Sequence, residues 1–167
     1  MREDPVTEPE AMLRVRPMTA TDVDTVCALA AESAQAPHWP REVYCKALEA
    51  ETPQRLALVV EWRGEVAGFA VVCLIPPEAE LESIAVGARF RRMGAGRALL
   101  ESIKANLKQQ KVMALWLEVR SSNHAALALY QSEGFRQTGV RNRYYADPIE
   151  DAVLMALALP EKTQIFD

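Results

Sequence analysis

Apolar positions along this chain recur with two periods, about two and about 3.6 residues, and the switches between them outline its elements. Leu13-Arg14-Val15-Arg16 alternates as a short strand does. Thr19 and Thr21 each stand three residues before an aspartate, Asp22 and Asp24, and so mark a helix start. The helix that follows places Val23, Val26, Cys27 and Ala30 on one face and is predicted to end near Pro37. Pro40 suits the first turn of a second helix through Val43, Tyr44, Ala47 and Leu48. Leu56 to Trp62, the turn at Arg63-Gly64, and Glu65 to Leu74 read as an antiparallel hairpin closed by Pro76-Pro77.

Leu81 to Val86 is predicted as the next strand, and Gly94 to Lys108 as a helix with Leu99, Leu100, Ile103 and Leu107 in one apolar stripe. Met113 to Val119 is nearly all apolar, the pattern of a parallel strand buried on both faces. Asn123 then caps a short helix through Tyr130, Gly134 is its C-terminal stop, and strands near 135–143 and 152–159 close the fold. Strand, loop, helix and strand from 81 to 119 make a right-handed βαβ crossover within a largely antiparallel α/β sheet. The boundaries expected are a flexible leader over 1–12, one domain over 13–159 and a tail over 160–167.

Composition narrows the options. Half of the 167 residues are apolar and a quarter are charged, enough for one domain with a substantial core. A net charge of −4 argues against broad DNA binding, which leaves a basic footprint over a whole face. Cys27, Cys45 and Cys73 are odd in number and far apart, so they suggest neither a disulfide framework nor a zinc site. No His/Asp/Glu cluster suggests a metal. No apolar run reaches membrane-spanning length, and a cytoplasmic protein is the expectation.

Against that acidic background, Arg89, Arg91, Arg92 and Arg97 fall within nine residues that contain no acid. They surround Gly94-Ala95-Gly96 at a helix start, where backbone N–H groups have no partner within the helix. This is an anion-binding loop, and phosphate is its natural guest. A dinucleotide fingerprint would need glycine at position 99, where Leu99 stands, and no Walker A string occurs.

The string Arg91-Arg92-Met93-Gly94-Ala95-Gly96 resembles the Q/R-x-x-G-x-G/A acyl-CoA loop of the GNAT acetyltransferase superfamily. Leu81 to Val86, Leu115-Trp116-Leu117-Glu118-Val119-Arg120, Ser122-Asn123, and Ala128-Leu129-Tyr130 with Glu133-Gly134-Phe135 look like the ribosomal-protein-alanine N-acetyltransferases of the RimI type. The resemblance covers about residues 13–159 and implies a GNAT fold with acetyl-CoA as co-substrate and no metal. It implies that Arg91, Arg92, Gly94, Ala95, Gly96 and Arg97 hold the pyrophosphate, and that Ile84, Ala85 and Val86 pair with the pantetheine arm. It also implies Glu118 as general base and Tyr130 as general acid.

The residues alone leave alternatives beside these roles. Asn123 either caps its helix alone or also bonds the cofactor arm. Tyr130 is equally ordinary as a core tyrosine, and Glu118, the one acid in its strand, could form an ion pair with Arg120 two residues on. Trp39, in Ala36-Pro37-His38-Trp39-Pro40, is either a wall for substrate or a packing residue. Tyr144 and Tyr145 stand between the last two strands, and at least one should meet solvent or substrate. Their segment resembles the loop with which protein N-terminal acetyltransferases grip a peptide.

The expected activity is transfer of acetyl to a protein N-terminal amine, first the alanine of protein eighteen of the small ribosomal subunit. A broader N-terminal or small-amine acetyltransferase acting on polyamines or aminoglycosides, and an acyl-CoA-binding module without catalysis, are the other readings. The chain is expected to be a monomer or weak homodimer. The Pro76-Pro77-Glu78 lead-in and the leader depart from the RimI pattern and leave the acceptor open.

Overall fold

The computed structural model describes residues 12–160; the expected leader and tail lie, apart from Met12 and Pro160, outside the described residues. Its strands are β1 (Leu13–Pro17), β2 (Arg55–Trp62), β3 (Glu65–Ile75), β4 (Glu78–Val86), β5 (Ala114–Arg120), β6 (Arg136–Ala146) and β7 (Ile149–Ala158). Its helices are α1 (Val23–Glu32), α2 (Arg41–Ala47), α3 (Ala95–Gln109) and α4 (His124–Ser132). One seven-stranded sheet runs β1-β2-β3-β4-β5-β7-β6, antiparallel throughout except for the parallel pair β4 and β5. This is the mixed, mostly antiparallel α/β sheet that the sequence pattern predicts, with β4, α3 and β5 as the crossover.

Two apolar layers sandwich the sheet. On one face Leu99, Leu100, Ile103 and Leu107 of α3 are fully buried against Leu58, Val60, Leu115, Leu117 and Met155. On the other, Val23, Val26 and Ala30 of α1 and Tyr44 of α2 pack on Val59, Phe69 and Val71. Strand β4 serves both layers because of a bulge: Val72 pairs with Leu81 and Val71 with Ser83, leaving Glu82 as an extra residue. Ala79 and Leu81 before it face the α3 layer, whereas Ala85 after it faces the α1 layer. A bulge also bends its strand, and it does so where β4 leaves β5.

Several boundaries differ from the sequence expectation. Helix α1 stops at Glu32, five residues before Pro37, because Ser33 turns extended and its Oγ accepts from the amides of Gln35 and Ala36. Strand β4 begins at Glu78, directly after the diproline, so β3 and β4 form a tight hairpin. Strand β5 is buried on one face only: Leu115, Leu117 and Val119 are covered by helices, while Trp116, Glu118 and Arg120 point to the open side. Strands β6 and β7 run on through residues 141–146 and 149–151, so the segment expected to be a loop is the distal end of a hairpin.

The first helix is anchored to the sheet by charge. Arg16 of β1 donates two hydrogen bonds to the Asp22 carboxylate, at 2.7 and 2.9 Å, and a third to Glu61 of β2 at 2.8 Å. Asp22 also accepts from the Thr19 amide at 2.8 Å, completing the capping box at a 3₁₀ turn that leads into α1. The Arg16 hydrogen bonds hold the Asp22 carboxyl at about 2, below its ordinary 3.8. A depressed carboxyl stabilises the fold above the unfolded value, and that stability is lost as pH falls from 3.8 toward about 2. Asp22→Asn should cost about 2 kcal/mol at neutral pH and flatten this acid-side loss, as read by chemical denaturation across pH.

Candidate active site

Strands β4 and β5 pair at only three positions, Glu78 with Ala114, Ala79 with Leu115 and Glu80 with Trp116. Beyond Glu80 the two strands part. The Gly87 amide donates to Ala67 of β3 at 2.8 Å, so by strand alternation the N–H groups of Ser83 and Ala85 also face β3. Those of Ile84 and Val86 then face the gap, where no strand takes them. The gap widens into a cleft of about 110 Å³ lined by Ile84, Glu118, Asn123, Tyr130 and Tyr145, with Gln35 to Pro37 closing one side.

At the carboxyl end of β4 the chain turns into α3. Arg92 and Gly94 have positive φ, 62° and 85°, with Met93 between them. An alternation of this kind gathers successive N–H groups into a concave anion-binding nest. The first amide bonded back along this helix is that of Ala98, which donates to Gly94 at 2.9 Å. Among the described residues the amides of Arg92 to Arg97 have no acceptor. Gly96 lets α4 close in, since a Cβ there would stand 3.1 Å from Leu129 Cδ2. Bare amides, a helix start and exposed Arg91 and Arg92 suit a pyrophosphate.

Glu118 sits half-exposed on the open face of β5, and its Oε1 lies 3.2 Å from Arg141 Nε on β6. The Glu118–Arg120 ion pair considered from the sequence does not form. Arg120 pairs with Glu150 at 3.3 Å and stacks over the Tyr145 ring at 4.2 Å. Glu118 is reached by Arg141 because β6 and β7 bring that residue across the sheet, next to Ala152. Tyr144 stands near Glu118, and that carboxylate pushes the phenol pKa up. Glu80, on the same open face, has its carboxyl pushed up by burial and then by the like charges of Glu118 and Glu82.

Tyr130 is 5% exposed, and its hydroxyl donates to nothing among the described residues. Burial pushes its pKa well above the ordinary 10, so the phenol stays protonated at neutral pH. Asn123 caps α4, its Oδ1 accepting from Ala126 at 3.2 Å. Tyr145 is half-buried in the cleft wall and Tyr144 is 50% exposed beside it, their rings 5.2 Å apart. Trp39 lies apart from the cleft, packed on Tyr44 at 5.3 Å, and the wall expected from it is made by Gln35, Ala36 and Pro37. Arg97 turns its side chain to Glu133 and Ser132 of the α4 end, leaving its backbone to the nest.

Sequence reading did not single out Arg141, Glu80 or Glu133 as site-shaping residues. Only an acid just before the Gly134 stop hinted at one of them.

Residues 24–135 match the model of the acetyltransferase (GNAT) family, and the chain belongs to that family of acyltransferases. It is 47% identical over 98 residues to the [ribosomal protein bS18]-alanine N-acetyltransferase of Escherichia coli strain K12, an alignment covering 58% of this chain. That alignment spans 66% of the relative's length, just under two thirds. A Bacillus subtilis strain 168 protein provisionally given the same name is 33% identical over 147 residues, covering 88% of this chain and 96% of that one. The crystal structure of the Escherichia coli ribosomal-protein-S18-alanine N-acetyltransferase superposes with a TM-score of 0.81 at 33% identity, over 93% of this chain and 99% of that chain.

Asn123→Ala removes the α4 cap and should lower stability by about 1 kcal/mol in denaturant titration.

Proposed function

We propose that this chain is a peptide α-N-acetyltransferase that takes acetyl from acetyl-CoA and places it on a protein N-terminus, foremost the N-terminal alanine of ribosomal protein bS18. The observation that carries the reading is the parting of β4 and β5, which leaves an unpaired strand edge running from the α3 nest to a cleft holding Glu118 and Tyr130. The names of the relatives from Escherichia coli and Bacillus subtilis support the acceptor.

Acetyl-CoA supplies a thioester carbonyl already activated toward an amine. In this reading the amides of Arg92 and of Gly94 to Arg97 bind its pyrophosphate, with Arg91 and Arg92 adding positive charge. Ile84 and Val86 bond the pantetheine arm as an added strand, with Ala85 between them turned toward β3. At the cleft end of this edge the Ile84 N–H is the donor placed to take the carbonyl oxygen as charge builds there, which leaves the Val86 N–H to the arm. Asn123 keeps its amide N–H₂ for the arm while Oδ1 caps α4.

Glu118 accepts the proton of the acceptor ammonium, directly or through water. An α-amine near pKa 8 asks far less of that base than a lysine near 10.4, about 2 units of driving force. The amine nitrogen bonds to the carbonyl carbon, the carbon–sulfur bond breaks, Tyr130 gives its phenolic proton to the departing thiolate, and the new amide nitrogen gives up its second proton to water. The proton taken at Glu118 is released to solvent, and Tyr130 is reprotonated from it. Gln35 to Pro37 on one side and Tyr144 with Tyr145 on the other grip the peptide. No residue of the chain forms a covalent bond, so the three cysteines are spectators.

The deciding experiment offers acetyl-CoA with short peptides that differ at residue one, and with spermidine and an aminoglycoside alongside. Selective acetylation of Ala-starting peptides supports the proposal; transfer only to the small amines would keep the fold and the donor and overturn the acceptor. Tyr130→Phe should lower kcat about a hundredfold with little change in the KM for acetyl-CoA, and unaltered turnover would remove its acid role. Gly94→Glu sets a carboxylate against the nest and should weaken CoA binding by more than about a hundredfold in calorimetry.

A further inference from the structure

Glu133 is the residue the mechanism leaves unused and the structure surrounds most closely. Its side chain is 2% exposed, yet it carries two cations, both from α3. Arg97 Nη1 donates to Oε1 at 2.9 Å, and Lys104 Nζ to Oε2 at 2.7 Å. The same Lys104 donates to the Glu133 carbonyl at 2.7 Å, and Arg97 Nη2 donates to Ser132 Oγ at 3.2 Å. Both cations therefore close on the last turn of α4. Burial disfavours the charge on Glu133, but the hydrogen bond from Lys104 and the nearby Lys104 and Arg97 charges outweigh it and hold the carboxyl below its ordinary range.

Stability alone is a weak reason for such an arrangement, because an apolar contact of equal volume commonly serves as well as a buried ion pair. What the charges add is geometry. Arg97 and Lys104 lie seven residues apart, two turns along one face of α3, and each takes a different carboxylate oxygen. One contact would let α4 pivot on α3; two fix both its shift and its rotation. The missing Cβ of Gly96, under Leu129, lets the helices approach closely enough for both contacts.

The two helices carry the two halves of the site. Arg97 is in the first turn of α3, within the nest, and Tyr130 lies three residues before Glu133 on α4. We infer that Glu133 is a positioning residue that fixes the register between the α3 anion nest and Tyr130, and through it the distance from the thioester sulfur to the phenol. The inference rests on the donor and acid assignments proposed above. It is a claim about kcat, since a misplacement near 1 Å can cost about a hundredfold in rate while leaving pyrophosphate contacts intact.

A double-mutant cycle on the full-length chain separates this from a purely structural role. Glu133→Gln should lower kcat about tenfold, with the KM for acetyl-CoA moving less than about threefold. Tyr130→Phe should cost about a hundredfold in the native background but less than about tenfold beside Glu133→Gln, because the misplaced phenol has less left to lose. Lys104→Met removes one of the two grips, two turns along α3 from the nest, and should show the same pattern more mildly, should Glu133→Gln fail to fold. Rate effects that multiply independently, or variants that lose only melting temperature, would overturn the assignment. An inert Tyr130→Phe in the native background is a different failure, overturning the acid role itself and the coupling with it.

Discussion

Two parallel strands that pair at three positions and then part must leave main-chain donors without partners, and the proposed donor track and catalytic cleft are arranged around that parting. The bulge at Glu82 falls two residues beyond the last paired position and turns β4 so that its later residues pack on the α1 layer. A strand edge stripped of its neighbour is costly in a sheet interior unless something else pairs with it. Here the open edge continues into a helix start whose amides are also bare. One extended ligand with an anionic end would satisfy both.

In the proposed mechanism the chemistry falls to the strand and helix on the far side of the gap. β5 contributes Glu118 because one of its faces is left uncovered by helices, and α4 contributes Tyr130 because that face of the helix is buried. The two groups are differentiated by surroundings: one is a half-exposed carboxylate beside Arg141, the other a phenol kept neutral by burial. Their common frame is the α3–α4 contact, where Gly96 allows close approach and Glu133 supplies the grip.

Much of this was legible in the sequence. The Leu99-Leu100-Ile103-Leu107 stripe, the arginine and glycine loop, the Asn123 cap and the Gly134 stop are local signals, each readable within a few residues. The single-residue bulge at Glu82 was not, because it alters pairing without altering composition. Nor was the reach of β6, an edge strand paired only with β7, whose two faces are both largely solvent-exposed and so carry no alternation. Arg120 looked like the partner of Glu118 through proximity in sequence; Arg141 became it through cross-strand register, which no local pattern encodes. Trp39 illustrates the same limit, since its place against Tyr44 follows from how α2 meets the sheet.

In the proposed reading the unpaired β4 edge and the α3 nest form one continuous docking track for the donor. Amide hydrogen exchange with and without CoA, resolved to single residues, tests it most directly. Such a track predicts slowed exchange at Ile84 and Val86 together with Arg92 to Arg97, and little change at Ser83 and Ala85, which already face β3. Binding of CoA that protected the nest but left Ile84 and Val86 unchanged, or that protected amides elsewhere in the sheet, would contradict it.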